Sequence, residues 1–149
     1  MYFSKKKLGG GSILDLGVYA VQLACLIYNH ETPVSIQATG HLNQEGVDLS
    51  MSAILTYENG RTAMITTQLQ LVMSNEAVII GTEGTIRLPD LWCPTNIILP
   101  SGTVESKMPL SNSNFNFQNS SGLSYEAAEV RDCLKKGKAK ENEKVTVGF

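Results

Sequence analysis

The sequence predicts an α+β domain in which an open antiparallel sheet of about six strands is backed by helices on one face. An apolar helical segment lies near the N-terminus, a long run of short alternating segments follows, and a second helical segment lies near residue 130. Helices that lie outside a run of strands are typical of α+β folds. One face of such a sheet is covered by helices, and the other is open to water or to a partner.

Size and composition fit one globular domain, or one domain of a larger protein. The chain has 149 residues, and 42% of them are hydrophobic. Twelve basic and fourteen acidic residues give a net charge of −2. A nucleic-acid binder would show a basic stripe, and the run Lys5–Lys7 is short enough to be a solvated segment. We therefore expect no nucleic-acid partner.

The first predicted helix runs from Ser12 to about Tyr28, after a flexible lead-in at Gly9–Gly11. Ser12 offers a hydroxyl N-cap, and Asp15 places a negative charge near the helix N-terminus. Asn29, His30 and Pro33 end the helix. Its apolar residues surround the axis on most sides, which predicts a buried helix.

The same apolar stretch bears on membrane insertion. Ile13–Tyr28 covers 16 residues, short of the ~20 that a membrane span needs. Asp15 and Gln22 interrupt it, and no small-residue cleavage site follows, which argues against a signal peptide. We therefore expect a soluble protein with no membrane partner.

Cysteine and histidine spacing gives no sign of a metal site. Cys25, Cys93 and Cys133 are widely spaced, without a C-x-x-C motif, and neither His30 nor His41 has a partner in sequence. We expect no metal. Free thiols suit a reducing compartment, so the expected localisation is cytoplasmic.

The alternating segments predict the strands. Glu58–Arg61 contains Asn-Gly, a strong hairpin signal, so its two flanking strands should pair. The predicted strands are 34–39, 47–55, 62–71, 77–80, 85–88, 96–99 and 104–107.

The C-terminal part is predicted to be a loop followed by a helix. Ser111–Gly122 is polar, and Ser124 could cap a helix over Tyr125–Lys136 that stops at Gly137. Residues 138–149 form a charged tail.

Asp15 and Tyr19 are the strongest candidates for chemistry. At i and i+4 they share one helical face, and Gly17 between them leaves room for a ligand. A carboxylate in a buried helix is expensive unless it is paired or used. Tyrosine serves as a general acid or base when a nearby cation lowers its pKa. The spacing alone nevertheless favours a structural interpretation, with a helix N-terminal acid and a core aromatic.

Other possible binding features are weaker. Gly9–Gly11 precedes a helix, but no Lys-Ser/Thr follows, and the dinucleotide motif G-x-G-x-x-G is missing from the sequence. Trp92, Phe115 and Phe117 lie in irregular segments, where they line either a pocket or a local hydrophobic cluster.

Several motifs together resemble the Gfo/Idh/MocA oxidoreductases. Residues 9–19, Gly-Gly-Gly-Ser-Ile-Leu-Asp-Leu-Gly-Val-Tyr, resemble the start of the family's C-terminal domain, which carries a G-G-G-x-L-x-D-x-G-x-(H/Y) helix. Tyr at the last position narrows the resemblance to the dihydrodiol dehydrogenase branch. The resemblance covers about residues 2–137 and is carried further by residues 81–85, 92–95, 115–117, 122–127 and 133–137.

The resemblance implies a site and a cofactor. Tyr19 matches the family's catalytic acid/base, and Asp15 matches the acid that orients the substrate. Trp92 and Phe117 match aromatic substrate-pocket positions. The implied cofactor is NADP, and the large sheet would form a homodimer interface. The implied reaction oxidises trans-dihydrodiols or aldopentoses such as D-xylose.

The chain also departs from the family pattern. The N-terminal Rossmann domain, which would bind most of the NADP and supply a lysine near the Tyr, is absent from this sequence. Gln118 stands where the dehydrogenases have Asp, and residues 138–149 diverge. We therefore expect residues 1–137 to be a truncated substrate-binding and dimerisation domain that is inactive in isolation.

Two other functions stay open at this stage. A truncated form could act as a non-catalytic dimerisation or interaction module. A sugar or inositol dehydrogenase of the same superfamily is the other alternative, although those enzymes usually place His at the position of Tyr19. The sequence does not distinguish a sugar from an aromatic dihydrodiol.

Overall fold

The computed structural model describes residues 5–109, 114–117 and 119–137. They divide into two compact units. The first contains the described residues through Ala77 together with Asp90–Trp92, and the second contains Val78–Pro89 and the described residues from Cys93 onward. The predicted tail, residues 138–149, lies outside the described residues.

The helical segment of the first unit has two parts. A π turn, Ile13–Gly17, runs directly into an α-helix, α1, Val18–Ile27. Tyr28 ends α1, and Asn29 and His30 take positive φ values of 48° and 60°. The predicted helix and its end at Asn29 and His30 are confirmed, but the sequence did not indicate the π turn.

Three antiparallel strands form the sheet of the first unit, in the order β1-β2-β3. They are β1, Ser35–Leu42; β2, Asp48–Thr56; and β3, Thr62–Gln68. Asn59 and Gly60 connect β2 to β3 with φ values of 60° and 71°, which confirms the predicted Asn-Gly hairpin. A β-bulge interrupts the register of β1 between His41 and Leu42.

The two faces of this sheet differ in composition. Ala53, Ile65 and Thr67 are buried on the inner face, which packs against the π turn and α1. The outer face is mostly Ser, Thr and Gln. Its exposed apolar side chains are Ile54 and Met64, which are opposite each other in the register. The expected helix layer on one face of this sheet is therefore present.

The prediction of a fully buried first helix is wrong for this chain. Gly17 and Ala24 are buried toward the sheet, but Leu14 is 65% exposed and Val18 53% exposed. A single three-stranded sheet covers one side of the helix, so its other apolar side has no cover from the described residues.

The prediction that this apolar segment is too short to span a membrane is also wrong. The segment Lys6–Ile27 has 22 residues and is long and apolar enough to cross a membrane by length and composition alone. Near an N-terminus this is weak evidence, because signal sequences and core helices of soluble proteins satisfy the same criterion.

An aromatic cluster fixes the C-terminal end of α1 to the hairpin. The Tyr28 ring stacks on buried Tyr57 at a centroid distance of 3.9 Å, and the Tyr28 hydroxyl donates to the carbonyl of Thr62 at 2.7 Å. The Arg61 guanidinium lies 5.5 Å from the centre of the Tyr28 ring and donates to both carboxylate oxygens of Glu31.

The sheet ends earlier than predicted along β3. The expected strand reached Leu71, but β3 stops at Gln68, whose side-chain oxygen accepts the N–H of Gln70 at 2.9 Å. The N–H of Leu69 still donates to the carbonyl of Leu49 at 2.9 Å, and Asn75 takes a φ of 53°. Within the described residues the seven strands form two sheets, of three and four strands, in place of one sheet of about six.

The second unit contains a four-stranded antiparallel sheet in the order β4-β5-β6-β7. Each strand overlaps a predicted one, and β7 begins and ends two residues before its predicted bounds. The strands are β4, Ala77–Gly81; β5, Gly84–Leu88; β6, Asn96–Leu99; and β7, Gly102–Glu105.

A second helix, α2, Leu123–Lys135, follows the sheet. It begins two residues earlier than predicted, so Ser124 lies inside its first turn and is not the cap. Gly137 takes a φ of 66° after the last turn, as predicted for a helix stop. Before α2, the Asn119 amide donates to the carbonyl of Cys93 at 3.1 Å, and the Cys93 thiol donates to the carbonyl of Asn119. The predicted loop is described only in part, because residues 111–113 and 118 lie outside the described residues.

Candidate functional site

Asp15 and Tyr19 lie one turn apart on the helical segment of the first unit. Asp15 belongs to the π turn and is half-buried, and Tyr19 is the second residue of α1 and is 46% exposed. Their four-residue spacing keeps them adjacent on one side of the helix. π turns inside helices are rare and are frequent at functional sites. The structure thus places the two candidate residues four positions apart on one helical segment, and their catalytic roles stay predictions.

The N-terminus of this helix is capped by a residue from the sheet. The carboxylate of Asp48, the first residue of β2, accepts the backbone N–H of Ile13 at 2.8 Å. A carboxylate at this position satisfies an N–H that has no partner within the helix and interacts favourably with the helix dipole. The predicted cap, Ser12, does not have this role.

Ser12 instead connects the helix to two strands. Its hydroxyl donates to Asp48 Oδ2 at 2.6 Å and lies 2.7 Å from the hydroxyl of Thr67 on β3. Ser12 is fully buried and Thr67 is 4% exposed. Sequence reasoning missed Asp48 and Thr67, because each lies in an ordinary alternating strand more than 30 residues from the helix.

Two glycines permit this close packing. Gly11 has a φ of 146°, and a Cβ there would overlap Asp48 Oδ1. A Cβ at Gly17 would overlap the Ile13 side chain and lie 3.5 Å from Thr67 Cγ2. Gly11, the last residue of the glycine run, therefore lets the Asp48 carboxylate approach the backbone, whereas a Cβ added at Gly9 would meet open space.

The two candidate pocket aromatics lie in different units. Trp92 is half-buried in the first unit, next to Leu91, whose N–H donates to the carbonyl of Asn75 at 2.8 Å. Phe117 lies in the second unit and is 78% exposed, and Phe115 is also exposed. The predicted roles of Trp92 and Phe117 in substrate binding stay predictions.

Burial changes the acid–base behaviour of two groups away from the Asp15–Tyr19 pair. Burial, with smaller contributions from Cys25, Tyr28 and Glu31, raises the pKa of Tyr57. Burial also raises the pKa of the Cys93 thiol. Both groups are therefore neutral near pH 7. In the described part of the chain, no group of three or more His, Cys, Asp or Glu side chains is placed to hold a metal ion.

Comparison with protein families gives one match that covers more than half of the chain. The model of the GFO/IDH/MocA C-terminal domain matches residues 1–87. That range contains the capped helical segment, the three-stranded sheet and most of the first two strands of the second sheet.

Curated relatives match most of this chain but extend well beyond it. A trans-1,2-dihydrobenzene-1,2-diol dehydrogenase from Xenopus tropicalis is 43% identical over 134 residues, which is 89% of this chain and 41% of the relative. The enzymes of that name from Danio rerio and Sus scrofa are 40% and 36% identical and are covered to 40% and 42%. The chain thus spans about two fifths of the length of these relatives.

A solved structure shares the fold. An oxidoreductase from Agrobacterium radiobacter, in complex with NAD+, L-tartaric acid and magnesium, aligns with a TM-score of 0.60 at 20% identity. The alignment covers 91% of this chain and 42% of the other. The predicted α+β fold is confirmed by this similarity.

Proposed function

This chain belongs to the GFO/IDH/MocA C-terminal domain family, and on that basis we propose that it is the substrate-binding and dimerising part of an NADP-dependent dehydrogenase. The observation that carries the proposal is that Asp15 and Tyr19 stand four positions apart on a π turn and helix whose N-terminus is capped by Asp48. Relatives named as dehydrogenases support it over 89% of the chain.

In the proposed reaction Tyr19 moves the proton. A hydride leaves the carbinol carbon of the substrate, and the nicotinamide, when bound, supplies the acceptor for it. The oxygen of the Tyr19 phenolate takes the hydroxyl proton as the carbonyl forms. Asp15 holds the substrate hydroxyl or a water in line with Tyr19. Since Tyr19 is half-exposed on the helix surface, a substrate can reach it from the side that the sheet does not cover.

The proposed substrates are trans-dihydrodiols, with aldopentoses such as D-xylose as the second class. The name of the relatives favours the dihydrodiols. Tyr19 favours this branch over the inositol and sugar dehydrogenases with His at that position. A substrate panel of a trans-dihydrodiol, D-xylose and myo-inositol on the complete protein distinguishes the three.

Three further properties belong to the proposal. The cofactor is NADP, held mainly by a dinucleotide-binding domain outside these 149 residues. The chain forms a homodimer through its sheet face, and the protein is cytoplasmic, without nucleic-acid or membrane partners. The partial coverage of the relatives supports a need for further chain in catalysis, so the isolated chain is expected to bind no NADP tightly and to oxidise no diol or sugar.

Replacing Tyr19 tests the catalytic role. In the complete dehydrogenase, Tyr19→Phe should lower kcat by about 10²–10⁴-fold, the range for a lost general acid or base, because only the hydroxyl is removed. Steady-state kinetics and NADP binding by fluorescence should show unchanged cofactor affinity.

The matched control for this test is Tyr125→Phe, a change of the same chemistry at an exposed position of α2. It should leave turnover unchanged. If Tyr19→Phe has full turnover where chemistry limits the rate, the catalytic assignment is wrong. A stable chain that forms dimers but gives no activity in any context would favour the interaction-module function.

A further inference from the structure

We propose that Asp48, acting through Ser12 and Thr67, is a positioning residue that fixes the turn bearing Asp15 and thereby sets the direction of Tyr19. The proposal rests on the proposed dehydrogenase function. These three residues come from the helix start and from two different strands, so they connect the candidate site to the sheet.

The first observation is the number of bonds at one atom. Asp48 Oδ2 accepts the Ser12 hydroxyl at 2.6 Å and the Ile13 N–H at 2.8 Å. Hydrogen bonds to a charged acceptor are roughly twice as strong as neutral ones. The two donors belong to consecutive residues, so one carboxylate oxygen constrains both the entry of the chain and the first residue of the π turn.

The second observation is the direction of the hydroxyl chain. Ser12 has one hydroxyl hydrogen, and it is donated to Asp48, which as a carboxylate only accepts. The bond of 2.7 Å between Ser12 and Thr67 must therefore be donated by Thr67. Ser12 is fully buried, so water cannot replace either partner without opening the packing.

The third observation is that the other end of the π turn is also held by β3. Gly17 is buried, and a Cβ added there would lie 3.5 Å from Thr67 Cγ2, so this glycine faces β3. Thr67 thus lies near both ends of the turn, with its hydroxyl bonded to Ser12 and its methyl toward Gly17. Asp15 lies between the two contacts.

These contacts matter for chemistry because they fix the backbone from which Tyr19 projects. Tyr19 is 46% exposed, and it follows the π turn directly in α1. A displacement of about 1 Å at a reacting group can lower a rate by about 10²-fold. Loss of the Asp48 network should therefore affect turnover although none of its members touches the substrate.

Two variants and a matched control test the proposal in the complete dehydrogenase. Thr67→Val keeps the shape of the side chain but removes the donor, and Asp48→Ala removes the acceptor. Each should lower kcat by about 10–100-fold with the KM for NADP unchanged. Thr103→Val makes the same change at an exposed position of β7, to which no role in the site or the interface is assigned, and should leave kcat unchanged.

Rescue and hydrogen exchange separate positioning from general loss of stability. Asp48→Asn retains an acceptor oxygen and should recover most of the kcat lost in Asp48→Ala. In the 149-residue chain, Thr67→Val should increase amide exchange in residues 13–17 at least tenfold while exchange in β2 stays unchanged. If Asp48→Ala does not fold, Thr67→Val and Ser12→Ala decide the question by the same two measurements.

The outcomes distinguish this proposal from the proposed function. If Tyr19→Phe lowers turnover but Thr67→Val and Asp48→Ala leave kcat unchanged, the positioning role is wrong and the catalytic role stands. A kcat loss that is equal in Thr67→Val and Thr103→Val would also overturn the positioning role. If Tyr19→Phe leaves turnover unchanged, the proposed function itself fails.

Discussion

Tyr57 is a single buried residue that makes the stability of this fold depend on pH. It is 3% exposed and stacks on Tyr28 at the junction of the helix and the hairpin. Burial, with smaller contributions from Cys25, Tyr28 and Glu31, raises the pKa of Tyr57 above its ordinary value of 10.0. The folded protein therefore holds this proton more tightly than the unfolded chain does.

This difference predicts a loss of stability at alkaline pH. The stabilising contribution of the Tyr57 proton is fully present below pH 10 and is lost as the pH rises through the raised pKa of the folded state. Tyr57→Phe removes the ionisable group, so between pH 8 and pH 10.5 the unfolding free energy of Tyr57→Phe should fall less than that of the unmodified chain. Urea unfolding at the two pH values measures this.

The control for the alkaline prediction is Tyr125→Phe on the exposed side of α2, which should lose as much stability as the unmodified chain. The raised pKa of Cys93 adds a loss above pH 9 that is common to all three proteins. An identical fall in Tyr57→Phe and the unmodified chain would contradict the assignment.

Asp48 is a helix cap that the sequence pattern does not predict. Asp15 and Tyr19 could be singled out as candidates because both lie on one predicted helix with a four-residue spacing. Asp48 is more than 30 residues from the helix start that it caps, and its position in the strand pattern, next to Leu49, is ordinary. A cap supplied from another element depends on tertiary packing, and local propensity does not encode it.

At the scale of elements, α1 is held differently at its two ends. A buried network of charge and hydroxyl groups fixes the turn before it, whereas stacked rings and an ion pair fix the segment after it. Between these ends, small residues such as Gly17 and Ala24 are buried against the sheet. Its orientation therefore depends more on the contacts at its ends than on a wide apolar contact.

Replacing Arg61 tests the contact at the C-terminal end of α1. The pair of Arg61 and Glu31 is partly exposed, so its contribution is limited to about 1 kcal/mol. The cation over the Tyr28 ring adds about 0.5 kcal/mol. Arg61→Ala should lower the unfolding free energy by about 1–1.5 kcal/mol, and the effect should shrink in 1 M salt because the pair is screened.

Arg131→Ala is the comparison for this measurement, since Arg131 forms a more distant, exposed pair with Asp132 at 3.8 Å. It should have almost no effect on urea unfolding. A loss in Arg61→Ala that is no larger than in Arg131→Ala would show that the cluster does not fix the helix.

The elements themselves were largely predictable from period and turn residues. The hairpin at Asn59 and Gly60 follows from a dipeptide that accepts positive φ at both positions. The end of β3 did not follow, because Leu69 and Leu71 continue the alternation while the strand stops at Gln68, whose side chain bonds the N–H of Gln70. A local side-chain bond of this kind is not recorded in the periodicity of the sequence.

At the scale of the whole molecule, the chain leaves apolar surface uncovered by the described residues. One such surface is the side of the helical segment that carries Leu14 and Val18, and another is the outer sheet face with Ile54 and Met64. The expectation of a buried helix rested on composition, which does not say which part of a protein supplies the cover. The relatives are more than twice as long as this chain, so the composition of these 149 residues does not identify what covers these surfaces.

The outer sheet face is the surface through which we expect two copies to pair. Met64 is 81% exposed and lies opposite Ile54, with the small polar side chains of Ser52 and Thr66 beside them. Small side chains let a second sheet approach to the usual packing distance of about 10 Å. A stable interface needs at least about 1,000 Å² of buried surface, so it must extend beyond the two apolar residues across the face.

Met64→Lys tests this dimer. Close to a two-fold axis, each copy would bring a positive charge toward its counterpart, and burying unpaired charges opposes association. Sedimentation at micromolar concentration should show a dimer for the unmodified chain and a monomer for Met64→Lys. Val72→Lys adds the same charge at a fully exposed apolar position beyond the end of β3 and should leave the dimer intact. A monomeric unmodified chain would contradict the proposal, and dissociation by Val72→Lys alone would place the interface at residues 71–73.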